Sequence, residues 1–137
     1  MLDQIDKTGV ISAALLDAIV PLFFRSSGDT SSALKRAFRT ELENWSSERL
    51  RDSLVPLGRM IFGRSDARSR LVELNRDSTL LLCGAEDIAR PPAEMREMAD
   101  IIGCMHALVP EAGHISNLEN ATFVNETLFS TLRKYCG

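Results

Sequence analysis

Two side chains toward the C-terminal end can do acid–base chemistry together. Asp87 follows the run Leu80-Leu81-Leu82-Cys83-Gly84-Ala85-Glu86, and His114, 27 positions later, follows Gly113. A carboxylate that accepts from an imidazole fixes its tautomer and stabilises its cation, so the imidazole can take a proton from a nucleophile. A strand–helix–strand return would bring groups this far apart in sequence to the same end of a sheet. Taken singly, an aspartate after a strand is a cap or loop residue, and Gly-His is a surface turn. Order and spacing together favour the paired role. Glu86 adjoins Asp87 but is expected to point elsewhere, and His106 is read as structural.

The elements needed to bring the pair together are present. Residues 79–83 form a short, continuously apolar run closed by Gly84, the pattern of a buried parallel strand. Pro91-Pro92 then opens a helix with Met95, Met98 and Ile102 inward and Gly103 as its stop. Residues 106–109 read as a second strand. Asn120 caps a final helix with Phe123, Thr127, Leu128, Thr131 and Tyr135 inward. A helical crossover of the usual hand makes the two strands parallel.

The first seventy-odd residues read as helices. Ser12 caps a helix with Leu15, Leu16, Ile19, Val20 and Phe23 on its apolar face. Residues 25–32 are rich in Ser, Gly, Asp and Thr and are expected as a loop. Leu34, Ala37, Phe38, Leu42 and Trp45 share the next helical stripe, which Ser46-Ser47 ends. Leu50, Leu54, Leu57 and Ile61 keep helical spacing, with a kink or break expected at Pro56. A short helix covers residues 67–74.

Composition bounds the alternatives. The chain has 137 residues, 45% hydrophobic and 26% charged, with a formal net charge of -3. That fits one modest soluble domain. Arg64, Arg68, Arg70 and Arg76 are interleaved with Asp66, Glu73 and Asp77, a solvated face with little electrostatic support for nucleic acid. No apolar run reaches the ~20 residues that span a bilayer. Cys83, Cys104 and Cys136 match no zinc spacing. The expectation is a cytoplasmic chain without disulfides, metal or cofactor, since nucleotide-binding glycine patterns are also missing.

At this point the residues resemble a known family. Residues 78–134 are similar to the C-terminal end of α/β-hydrolases, in the branch of enol-lactone hydrolases, carboxylesterases and meta-cleavage-product hydrolases. There the seventh strand ends in a small-residue turn holding the triad acid, often followed by a proline pair. The eighth leads to a Pro-x-x-Gly-His loop holding the base, with an acidic residue shortly after. The matching residues here are Gly84, Asp87, Pro91, Pro92, Pro110, Gly113, His114 and Glu119. Asn120-Ala121 departs from the family, which usually has a proline there. The helical first half resembles, by position, the cap inserted between strands six and seven.

The resemblance implies an α/β fold: a partial α/β-hydrolase fold with cap helices over residues 1–75. A β-α-β-α unit with two parallel strands follows over residues 76–137. It implies hydrolysis of an ester, lactone or related carbonyl compound, with Asp87 as acid and His114 as base. Strands one to six, the nucleophile elbow and the oxyanion hole are missing. The sequence Gly63-Arg64-Ser65-Asp66-Ala67 loosely imitates an elbow. Ser65, however, follows a helical stripe and lies only 22 positions before Asp87. A helix-ending turn is the better reading. Met60, Phe62, Phe24 and Trp45 are candidates for lining a pocket under the cap, although core packing explains them too.

Such a chain is expected to be inactive alone. The first strand would present an unpaired apolar edge, covered by a homo-oligomer or by a second chain supplying strands one to six. The alternative is a non-catalytic dimerisation or ligand-binding module derived from a hydrolase.

Overall fold

The structure, a computed structural model, describes the chain from residue 1 to 136 and its side chains through Lys134. Tyr135, expected to face inward, and Cys136 therefore lie outside the described side chains. A helical N-terminal portion leads into a β-α-β-α unit, a mixed helical architecture with a small parallel sheet.

The short helix α1 (Leu2–Thr8) closes on Gly9, whose φ of 66° is the left-handed conformation that favours glycine. Ser12 caps α2 (Ala13–Ile19) by accepting from Leu15 N, and a 3-10 turn over Val20–Phe23 carries Pro21. Helix α3 (Asp29–Glu43) starts earlier than expected, because residues 29–32 are helical rather than loop. The left-handed Gly28 (φ 107°) turns the chain, and its carbonyl accepts from both the amide and the hydroxyl of Ser32. On α3, Leu42 is buried and Leu34 and Phe38 are half-buried. Ala37 is exposed, and Trp45 lies past the helix end.

Ser46 caps α4 (Ser47–Arg49), and the helix runs on without a break through Pro56. A π-helical turn over Leu50–Leu54 precedes α5 (Val55–Gly63), placing proline near the start of α5, where its missing N–H is tolerated. The extra residue rotates the buried face. Leu50, Val55 and Gly58 are buried, whereas Leu57 and Ile61, expected inward, are exposed.

Ile5, Leu16, Val20, Phe24, Leu42, Leu50 and Val55 make the core of this helical portion. Phe38 meets the rings of Phe23 and Phe24 edge-on. Two 3-10 segments follow, Arg68–Glu73 within the short helix expected over residues 67–74, and Arg76–Ser78. Their arginines pair on the surface with Asp66, Glu97, Glu73 and Asp77, as a solvated face should.

Strand β1 (Leu80–Gly84) pairs in parallel with β2 (Met105–Val109), Cys83 opposite Leu108 and Gly84 opposite Val109. Helix α6 (Pro92–Ile102) makes the crossover, burying Met95, Ala99 and Ile102, with Met98 half-buried. Gly103 ends it in the left-handed conformation. After α7 (Ser116–Glu119), Asn120 accepts from Phe123 N and opens α8 (Ala121–Cys136). Among its described side chains Val124 is buried and Phe123, Thr127 and Thr131 are half-buried; Leu128, expected inward, is exposed. Val109, Ala112 and Val124 form a second small core.

Candidate active site

Asp87 and His114 are brought together. Both follow the C-terminal ends of the two parallel strands, and Asp87 Oδ2 lies 2.9 Å from His114 Nδ1. The approach depends on the connections beyond the strands. Ala85 N donates to Val109 O and Glu86 N to Ala112 O, so the two post-strand segments run side by side. Gly84 makes this possible. A methyl group there would sit 2.0 Å from Gly113 O and 2.4 Å from Ala112 O. Gly113 is confined too, less tightly, with a methyl there 2.6 Å from the backbone of Phe24 and 2.7 Å from Arg25 N.

The carboxylate is built in rather than attached. Asp87 Oδ1 accepts from Arg90 N at 2.8 Å, and the side chain is 5% exposed while the imidazole is 36% exposed. With the carboxylate accepting from Nδ1, the other ring nitrogen, Nε2, is left as the base. The His114 ring also rests against Phe23, centroids 5.7 Å apart. A buried acid holding a reachable imidazole is the arrangement that prepares a general base.

A groove of about 220 Å³ beside the pair is lined by Leu81, Leu82, Cys83, Asp87, Met95 and His114, among others. Cys83 is not an activated nucleophile. Burial, then the nearby Asp87 charge, push its thiol above the ordinary range, which favours the unreactive protonated form. Glu86 turns toward Arg25, 3.7 Å away, rather than toward the imidazole. His106 is exposed on β2 and lines a different groove, of about 360 Å³, with Met105, Phe123 and Lys134.

Ser65 sits in the exposed segment after α5. Asp66 accepts there from the amide and guanidinium of Arg68, which holds its carboxyl down at about 2. This is a charged surface turn, without the strand that a nucleophile elbow requires. Met60 and Phe62 project into solvent, Phe62 with 73% of its surface exposed. Phe24 and Trp45 belong to the helical core, so the four do not form a pocket. Among the described residues, no Ser, Thr or Cys side chain hydrogen-bonds His114. Nor, among them, do three His, Cys, Asp or Glu side chains gather into a metal-holding group. No described helix is long and apolar enough to cross a membrane.

In comparisons with known proteins, no family model, no curated protein and no solved structure matches this chain. A functional reading therefore rests on the residues themselves.

One residue near the site has a larger part than its sequence position suggests. Glu119 accepts from Gly113 N at 2.6 Å, from Arg25 N at 3.1 Å and from the Ser31 hydroxyl at 2.5 Å. Ser31 is 1% exposed, and Arg25 Nε donates to it. The sequence signals an acidic residue after the histidine. It carries no local signal that this residue reaches partners 88 and 94 positions away.

Proposed function

We propose that this chain carries the acid–base half of an α/β-hydrolase-type site, acting on an ester, lactone or related carbonyl compound. The observation that supports it is the 2.9 Å contact between the buried Asp87 carboxylate and the accessible His114 imidazole, at one end of adjacent parallel strands. In this reading Asp87 sets the tautomer, and His114 Nε2 takes the proton of a hydroxyl nucleophile during attack on the acyl carbon. It then returns that proton to the leaving alcohol.

The nucleophile and oxyanion donors come from a second chain supplying strands one to six; a second copy of this chain covers only the open strand edge. Ladder alternation directs the backbone groups of Leu80 and Leu82 away from β2, so that edge is the place for another strand. The 1–75 segment would act as the cap and the 76–137 segment as the hydrolase portion, in a cytoplasmic setting.

A second reading, a non-catalytic dimerisation or ligand-binding module, draws support from exposed apolar faces. Leu57, Met60, Ile61 and Phe62 line one, and Leu128, Phe129 and Leu132 another.

The test uses light scattering, p-nitrophenyl acetate turnover and fluorophosphonate labelling on the full chain and on any assembly it forms. Asp87→Asn and His114→Ala are run in parallel. The chain alone is expected to give no serine adduct. An assembly with a serine-bearing partner should turn over ester, and Asp87→Asn should cut that rate by about 10⁴-fold. Stoichiometric labelling of Ser65 would overturn its dismissal as a nucleophile, and turnover indifferent to both substitutions would overturn the hydrolase reading. Assembly that survives both substitutions, without turnover, selects the second.

A further inference from the structure

Glu119 gathers three donors from separate parts of the chain. Gly113 N belongs to the residue just before His114. Arg25 N follows the 3-10 turn that carries Phe23, and the Ser31 hydroxyl comes from the first turn of α3. Ile115 N, on the other side of His114, donates to Phe23 O at 2.9 Å. The histidine is thus flanked by two tethers to the helical portion, and its ring lies on Phe23.

The remaining connections favour a held geometry over a loose one. Arg25 reaches Glu86 and Glu111 from the same spot, at 3.7 and 3.6 Å. Glu111, between Pro110 and Ala112, carries a φ of 53°, a left-handed backbone that a non-glycine residue keeps only when its surroundings impose it. An ionised carboxylate accepting from two backbone amides and a buried hydroxyl is a strong, directional anchor. With that anchor removed, Gly113 N, Arg25 N and Ser31 lose their shared acceptor, the two amides have no second one among the described residues, and the loop can relax away from Asp87.

We propose that Glu119 is a positioning residue, through which the helical portion sets the His114 imidazole against Asp87. The catalytic use of that imidazole rests on the hydrolase reading; the positioning itself does not, and it can be measured without substrate.

The experiment is ¹⁵N-histidine NMR on the full 137-residue chain. It follows the Nδ1 proton of His114, assigned by its loss in His114→Ala and in Asp87→Asn. In Glu119→Ala this resonance should disappear, or its proton should exchange with solvent about tenfold faster or more. Glu119→Gln keeps one acceptor oxygen and should rescue part of the protection. Ser31→Ala removes a single donor and should give a smaller loss.

A Glu119→Ala protein that melts lower but keeps the Nδ1 resonance unchanged would show a structural role only, and the proposal would fall. Should Glu119→Ala not fold by circular dichroism, the other two variants decide. A graded loss of protection sustains the proposal, and unchanged protection in both overturns it. Failure of ester hydrolysis in any assembly bears on the hydrolase reading and leaves these outcomes untouched.

Discussion

Replacing Gly84 by alanine tests whether close backbone approach creates the Asp87–His114 pair. The new methyl carbon would meet Gly113 O at 2.0 Å, whereas ordinary contact begins at 3.4 Å, so the two post-strand segments must part by about 1.4 Å. Both opposing atoms are backbone carbonyls, with no side-chain rotamer available to yield. Overpacking in well-packed sites costs roughly 1–3 kcal/mol, and the rigid neighbours here place Gly84→Ala at about 3 kcal/mol or above. At roughly 2.1 cal/mol/K per residue, a 137-residue chain unfolds with an entropy of about 0.29 kcal/mol/K. The melting temperature should therefore fall by about 10 °C. Even about 1 Å of that separation takes the 2.9 Å contact beyond hydrogen-bond reach. The His114 Nδ1 proton should be lost as well. Circular dichroism melts and ¹⁵N-histidine spectra check both effects. Gly63→Ala is the control. Nothing lies within 4 Å of its added methyl, it ends α5, and alanine there should be neutral or stabilising by up to ~1 kcal/mol. A Gly84→Ala protein that melts within about 2 °C of the parent, with its imidazole proton intact, would refute the reasoning.

Asn120→Ala removes the cap acceptor for Phe123 N and the amide donor to Pro110 O, and should cost about 1–2 kcal/mol in a melt or urea titration. Asn120→Asp keeps the acceptor at a helix N-terminus and should recover at least half of that; equal losses in both variants would rule out capping as the source. In a Cys104→Ser/Cys136→Ser background, Cys83 should alkylate about tenfold more slowly in the native protein than in denaturant at pH 8, and speed up above pH 9. The folded chain retains a thiol proton that the unfolded chain releases from about its ordinary 9.0 upward, so this group's contribution to stability should decline as pH rises beyond that value. Native alkylation at pH 7 as fast as that of a free thiol would contradict the buried, protonated assignment.

Much of the C-terminal unit was legible because its signals are local. A continuous apolar run ending in glycine made β1, a proline pair opened α6, Gly103 closed it, and Asn120 capped α8. Each is settled by the conformational preferences of a few neighbouring residues. Asp87 and His114 could be placed from the same information, since residues following adjacent parallel strands emerge at one end. Ser12 likewise announced its helix, while Ser46, read only as the end of a stripe, also caps the helix that follows. Of the kink or break expected at Pro56, no break occurred; a π-helical turn precedes the proline, and Leu57 and Ile61, expected inward, are exposed. One additional residue in a turn rotates a helical face by about 100°, which extrapolation of regular spacing cannot anticipate. The expected loop over residues 25–32 missed the start of α3 for a related reason. The helix begins at the Gly28 turn without a side-chain cap, and one of the polar residues there, Ser31, is buried facing Glu119 rather than solvent.

By itself, then, the order of residues determined the strand–helix–strand unit, its caps and the placement of an acid and a histidine at its end. The folded chain decided which faces are buried, that Gly84 lets two backbones touch, and that Glu119 ties the histidine loop to Arg25 and Ser31. The division follows from range. Backbone preference and periodicity act over a few residues and leave a trace in the local pattern. A carboxylate's choice of partners 88 and 94 positions away is made only when packing has already brought them within reach.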